Sequence, residues 1–216
     1  ESQRSAQTRE AYSFHIQKLT GFLKDKPFGE VKLQDLQRFQ KWLDKAKTKR
    51  EKNYAPKTRA LIITAVKSLF SFAADEGYIG ANPAKRIVIE KCQDNRGARV
   101  LPREDIDKMI AAAETPRDAL ILKTLFFSGA RVSELVGLRW QDVQPNKANG
   151  GQVALFGKGG KNRTVGITPA LYEELMAYRK KVNGKAKGRV FISQKDKDGM
   201  SRQQIFRIVK KVAKLA

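Results

Sequence analysis

The sequence predicts a mainly helical α+β fold in two domains, a helical first domain and a second domain whose helices are interrupted by a small β-hairpin. Three observations predict it. Apolar residues recur at helical spacing from Tyr12 to Phe72. Threonine and proline stand together at helix starts, as in Thr115-Pro116 and Thr168-Pro169. Between those two starts, residues 153–167 read as two short strands joined by the Gly-rich turn Gly157-Lys158-Gly159-Gly160. With 216 residues, 41% of them hydrophobic, the chain is long enough to build two small cores.

The first domain is assigned to residues 1–86. Tyr12, Ile16, Leu19 and Leu23 mark a helix that ends at Pro27, Phe28 and Gly29. Leu36, Phe39 and Leu43 mark a second helix over about residues 33–46, followed by a charged loop over residues 47–53. Pro56 opens a third helix with Leu61, Ala65, Leu69 and Phe72 expected inward, and Asn82-Pro83 closes the domain with a turn or short helix. Residues 87–100 have few periodic apolar positions and carry Lys91, Arg96, Gly97 and Arg99, so they read as an interdomain linker.

The second domain is assigned to residues 101–216. Ile106, Met109 and Ile110 mark its first helix. Thr115 is a cap candidate, with Pro116 at the first helical position and Asp118 three residues after the cap. That helix delivers the chain to Gly129, a residue suited to a left-handed helix end, and Arg131 to Leu138 can restart as a short helix with Arg131 and Glu134 on one face. After the hairpin come a helix with Leu171, Leu175 and Met176 inward and a short strand over residues 189–193. Ser201 with Gln204 then forms a capping-box pattern before a final helix that begins near Ser201.

Charge limits what the fold can serve. Lys and Arg number 44 against 22 Asp and Glu, a net charge of +22. Residues 1–90 carry 18 basic and 10 acidic side chains (net +8), and residues 91–216 carry 26 and 12 (net +14). Such a surface expects a polyanion. Excess on both halves favours a ligand gripped by both, such as duplex DNA, over a membrane met by one patch. On charge alone, a generally basic soluble protein is the alternative. Lys57, Thr58 and Arg59 stand at a helix start, where phosphate contacts are favoured, and a solvated helix start is their plainer reading.

Cys92 is the single cysteine, so no internal disulfide forms, and no Cys/His cluster exists to hold zinc. No metal or other cofactor is expected. A reducing cytoplasmic location, associated with the nucleoid, is the expectation. No apolar run is long enough to span a bilayer, and the polar start Glu1-Ser2-Gln3-Arg4 is not a signal peptide. Because the first residue is not Met, the chain is expected to be a piece of a longer protein.

The stretch Ser128-Gly129-Ala130-Arg131-Val132-Ser133-Glu134-Leu135-Val136-Gly137-Leu138-Arg139-Trp140-Gln141-Asp142-Val143 organises the rest. Downstream, the hairpin turn presents Lys158 and Lys161. A fixed arginine and a hairpin lysine together suggest a phosphate site. Each alone has a plainer reading: Arg131 as the partner of Glu134 or of a helix end, Lys158 as a turn lysine in water. A nucleotide-binding loop is excluded, because the turn lacks the G-x-x-x-x-G-K-[ST] pattern and its strand-to-helix setting.

Taken in order, the two segments resemble those of the tyrosine recombinases of the phage integrase family. There a TG-x-R-x-x-E-L-x-x-L-x-W-x-D type segment precedes a hairpin written GKGxKxR. Ser128 stands here for the usual Thr, and Gly157-Lys158-Gly159-Gly160-Lys161-Asn162-Arg163 fits the hairpin. The helical domain ending in Tyr78-Ile79-Gly80-Ala81-Asn82-Pro83-Ala84 resembles the core-binding domain of that family. The resemblance implies a core-binding domain followed by the first part of a catalytic domain. It also implies a linker that lets both close on duplex DNA, and self-association on DNA as a tetrameric synapse.

The chemistry so implied is site-specific DNA recombination, in which a tyrosine cleaves a phosphodiester to give a 3'-phosphotyrosyl enzyme and a 5'-hydroxyl of another strand attacks it. Arg131 would stabilise charge at phosphorus, because a guanidinium can hold two non-bridging oxygens. Lys158 would protonate the leaving 5'-oxygen. Glu134 would support the pocket. Lys57, Thr58, Arg59, Arg96, Arg99, Lys161, Arg163 and Arg202 are the candidate DNA contacts. The resemblance also implies a His-x-x-Arg segment, a further His or Trp, and the nucleophilic Tyr, all expected beyond Ala216. His15, the only histidine, and Tyr12, Tyr54, Tyr78, Tyr172 and Tyr178 have neither the position nor the neighbours required, and Tyr172 and Tyr178 are expected in the core or on a solvated face. Type IB topoisomerases use similar residues, but the helical first domain fits recombinases better. The alternative function is a non-enzymatic duplex-DNA-binding protein that kept the fold.

Overall fold

Hydroxyl caps fix three helix starts where the sequence places them. Thr115 Oγ1 accepts from the Asp118 N–H at 3.1 Å and Thr168 Oγ1 from the Leu171 N–H at 3.3 Å. Ser201 Oγ accepts from the Gln204 N–H at 3.2 Å while Gln204 Oε1 accepts from the Ser201 N–H at 2.7 Å, both halves of a capping box. These features belong to a computed structural model that describes residues 6–48, 50–90, 92, 100–148, 150–157, 160–193 and 199–216. The chain divides into two units, Glu1–Ala98 and Arg99–Ala216, each with its own core.

The first unit holds α1 (Ala6–Leu23), α2 (Leu33–Lys45) and α3 (Pro56–Asp75), with a 3-10 turn at Phe28–Glu30. Leu36, Phe39 and Leu43 of α2 are buried as expected, against Leu19 of α1. The face of α3 differs from the expectation. Leu61 and Phe72 are exposed and Leu69 is half-buried, while Ile62, Ile63, Val66 and Phe70 join Ala65 inside. The helix is apolar around much of its circumference, so two overlapping stripes compete. The stripe containing Phe70 is the one buried, where Phe28 stacks on its ring with centroids 4.5 Å apart.

Residues 87–90, which the sequence groups with the linker, pack on this unit. Ile87 is buried in its core, Lys67 Nζ donates to the Ile87 carbonyl at 2.6 Å, and Gln40 Nε2 donates to the Val88 carbonyl at 2.9 Å. One buried side chain in an extended segment leaves no periodicity to read. Asn82 Oδ1 accepts from the Ala84 N–H at 2.8 Å, which makes the turn expected at Asn82-Pro83.

The second unit holds α4 (Arg103–Ala111), α5 (Pro116–Ser128), α6 (Val132–Gly137), β1 (Val143–Asn146), β2 (Gly150–Phe156), β3 (Asn162–Ile167), α7 (Pro169–Lys181) and α8 (Arg202–Leu215). The sheet is antiparallel in the order β1-β2-β3, with Val143 opposite Val153 and Val153 opposite Val165. β1 goes beyond the hairpin read from the sequence. It carries Pro145 and buries only Val143, a composition tolerated at a sheet edge but unlike a strand signal. Residues 189–193, expected as a strand, form only the isolated bridges Arg139↔Arg189 and Ile192↔Gly199. Their backbone bonds are divided: the Val190 N–H goes to the Leu138 carbonyl, and the Phe191 carbonyl accepts from Met200.

Trp140 is the largest fully buried side chain of this unit, among Leu135, Leu138, Val153, Leu155, Leu175 and Phe191. Burying each such side chain contributes roughly 1.5–3 kcal/mol. This core seats α6 and the hairpin on one foundation. Gly184 lies so near the indole that a Cβ there would stand 2.4 Å from Trp140 Nε1. Gly184→Ala should therefore lower the stability of the second unit by about 1–3 kcal/mol through overpacking. Gly21→Ala, in open space on α1, should raise that of the first by about 0.5–1 kcal/mol. Calorimetric unfolding of the two variants checks both signs.

Candidate active site

The candidate site begins at the break between α5 and α6. Gly129 ends α5 in the left-handed conformation expected of it, with φ 57 and ψ 27. Ser128 Oγ donates to the Thr124 carbonyl at 2.5 Å and accepts from the Ala130 N–H at 3.2 Å, holding the corner. Arg131 is then the N-cap of α6, with extended φ −68 and ψ 150, so it does not share a helix face with Glu134. The two meet by another route. Glu134 occupies the third helical position and turns its carboxylate back onto the cap, accepting the Arg131 N–H on Oε2 at 2.8 Å and Arg131 Nη1 on Oε1 at 2.9 Å. Asp142 treats the Arg139 N–H in the same way at 2.9 Å, so the device recurs one segment later.

The hairpin reaches this corner through Arg163. Its Nη1 donates to Glu134 Oε1 at 2.8 Å and its Nη2 to Glu134 Oε2 at 2.9 Å, a forked pair, and Nη2 also donates to the Gly129 carbonyl at 3.0 Å. Gly157, where β2 enters the turn, closes the hairpin by donating its N–H to the Lys161 carbonyl at 2.8 Å. A Cβ on Gly157 would stand 3.1 Å from Glu134 Oε1. The base of the turn is thus in contact with the Arg131 corner.

Glu134 is fully buried at its side chain and receives four hydrogen bonds, while the Arg131 side chain remains 71% exposed. The Arg163 guanidinium first, then the Arg131 N–H and guanidinium, hold the Glu134 carboxyl at a pKa of about 2, against the burial that would raise it. Two arginines against one carboxylate leave the corner positive. Among the described residues, Glu134 is the one side chain that takes a donor of the Arg131 guanidinium, whose other donors face outward. The arrangement can receive an anion at an open surface, as a polymer backbone requires; the concavities beside Trp140 and at the start of α5 do not include Arg131.

The other candidates are placed as follows. Lys158, Arg96 and Arg99 lie outside the described residues. Lys161 is exposed at the hairpin, Arg202 is exposed at the start of α8, and Lys57 is exposed at the start of α3 with Thr58 half-buried beside it. Arg59 is held within its own unit, with Nε 3.3 Å from Asp44 and Nη2 3.3 Å from Glu90. Tyr178 is buried against Trp140 and Phe191, and Tyr172 packs on the same core. What sequence reasoning missed is the inward role of Arg163. The signal was present, because Arg163, Val165 and Ile167 alternate with Thr164 and Gly166 and so share the inner face of β3.

A carboxyl whose folded pKa is depressed contributes stability that is present above its ordinary value, 4.5, and lost as the pH falls toward about 2. The second unit should therefore lose stability through that window, and Glu134→Gln should flatten the loss. At neutral pH the same change should cost about 1–3 kcal/mol, since it weakens hydrogen bonds to charged donors. Urea unfolding between pH 2 and 7 measures both effects.

Comparison with known proteins bears on the family. Residues 99–216 match the phage integrase family, and residues 1–90 match the phage integrase SAM-like domain. The tyrosine recombinase XerC of Xanthomonas campestris is 28% identical over 199 residues, covering 88% of this chain and 58% of its own length. The XerC of Pelobacter propionicus is 34% identical over 156 residues, covering 68% of this chain and 49% of its own. The chain therefore spans about half the length of the curated relatives it matches. Among solved structures, a lambda integrase (75–356) dimer bound to a COC' core site superposes with a TM-score of 0.77 at 17% identity, covering 100% of this chain and 73% of that one, a likeness of fold. With the match over residues 99–216 taking in both the Arg131 corner and the hairpin, the chain belongs to the phage integrase family.

Proposed function

We propose that this chain is the DNA-gripping part of a site-specific tyrosine recombinase, with Arg131 and Lys158 at its reacting phosphate. The observation that carries the reading is the exposed Arg131 guanidinium, oriented by a buried carboxylate beside the base of the Lys158 hairpin. Proteins named tyrosine recombinases are its relatives, and the integrase of like fold was solved as a dimer on DNA. Duplex DNA is the partner, the chain associates with further copies on it, and the protein works in the cytoplasm at the nucleoid. Among the described residues, no helix is long and apolar enough to cross a membrane.

In the reaction, Arg131 holds the non-bridging oxygens as charge develops at phosphorus. Lys158, a donor that can lose its proton, delivers that proton to the departing 5'-oxygen. Glu134 touches neither phosphate nor leaving group; it orients Arg131. The attacking tyrosine is not supplied by Tyr172 or Tyr178, whose rings serve the core.

Two outcomes test this reading. Engagement of about six phosphates should give a duplex affinity that falls with log salt at a slope near −5, measured by fluorescence anisotropy, and a flat titration would refute the grip. In a protein extended to the full length of its relatives, Arg131→Ala should reduce strand cleavage by at least about a hundredfold. Lys158→Ala should be rescued by a 5'-bridging sulfur, a better leaving group, and Arg131→Ala should not; cleavage of both substrates by both variants decides it.

A further inference from the structure

We propose that Arg163 is a positioning residue: by occupying one acceptor site on each oxygen of Glu134, it keeps the Arg131 guanidinium from closing onto that carboxylate and leaves it free to hold a phosphate. The ligand in this proposal rests on the functional reading above; the mechanism rests on geometry alone.

A carboxylate offers about four acceptor sites. Glu134 has four bonds, and each oxygen carries one from Arg131 and one from Arg163: the Arg131 N–H and Arg163 Nη2 on Oε2, Arg131 Nη1 and Arg163 Nη1 on Oε1. The carboxylate is thereby saturated. Arg131 spends a single guanidinium donor on it and presents the rest to solvent. Without Arg163, both oxygens would regain an open site inside a buried pocket, where an undersatisfied carboxylate draws strongly on any cation in reach. The nearest cation is Arg131, already bonded through Nη1. Arginine and carboxylate favour two parallel bonds, so Arg131 would swing into the fork that Arg163 now fills.

Arg163 itself is the less exposed of the two arginines, its side chain 38% exposed against 71% for Arg131. It stands on the inner face of β3, and its remaining described bond goes to the Gly129 carbonyl. That bond ties the strand following the turn to the end of α5, so the same side chain seats the hairpin. Its sequence assignment as a direct DNA contact is replaced here by action through Glu134.

Two measurements on the 216-residue chain decide the proposal. In NMR spectra of the free chain, Arg163→Ala should shift the Arg131 Nε–H resonance and slow its exchange, as Arg131 becomes fully paired. Arg163→Lys, which supplies a charge but no fork, should give an intermediate change and covers the case in which the alanine variant unfolds. An Arg131 resonance unmoved in a folded variant would overturn the proposal.

In duplex titrations, Arg131→Ala should reduce the salt slope by about 0.9, one phosphate. Arg163→Ala should do the same, with an affinity loss of about tenfold. Adding Glu134→Gln to Arg163→Ala should restore most of that loss, because a neutral amide does not capture Arg131. Adding Arg163→Ala to Arg131→Ala should cost nothing further. If instead the Gln fails to rescue and the two arginine changes add, Arg163 touches phosphate itself and the proposal is wrong. A flat wild-type titration would sink the functional reading, and the NMR comparison would then decide the proposal by itself.

Discussion

Four hydrogen bonds on one buried carboxylate hold the candidate site together. Glu134 takes the N–H and the guanidinium of Arg131 on one side and the fork of Arg163 on the other. It joins the start of α6 to the strand after the turn, and Arg163 carries the link on to the Gly129 carbonyl at the end of α5. A buried carboxylate without partners would be costly. With both arginines in place it is ionised at any physiological pH, and its burial turns two flexible side chains into fixed ones. Glu134 thereby converts local cap geometry into a site with a definite direction.

Much of this was legible in the sequence, and for physical reasons. Threonine before proline marks a helix start because hydroxyl and fixed φ act on the same turn; Thr115 caps as read, and Thr168 caps the helix start read there. Gly129 is left-handed because a helix that must turn within one residue needs that conformation. Arg131 and Glu134 meet, as their spacing implied, though by a carboxylate folding back on a cap and not by a shared helix face.

The rest failed where a local pattern has more than one solution. In α3, two apolar stripes overlap, and only tertiary packing against Phe28 selects the one with Phe70, leaving Leu61 and Phe72 outside. β1 has the composition of a loop and becomes a strand because β2 offers it an edge. Arg163 was read by its charge, as a DNA contact, and its pairing with Glu134 went unread although its alternation with Val165 and Ile167 pointed inward. Basic residues in a basic protein are read by charge alone: the sequence records the charge but not whether an acid is waiting for it. Arg59, paired with Asp44 and Glu90, is a second residue whose acidic partners the sequence does not reveal.

The most direct measurement is the position of Arg131 in a crystal structure of this chain with a cognate duplex. The expected result is a guanidinium bonded to the oxygens of a single phosphate, with Nη1 still on Glu134 and Arg163 still forked to the same carboxylate. A complex in which Arg131 is folded fully onto Glu134, with the nearest phosphate held by Arg163 or by neither arginine, would contradict it.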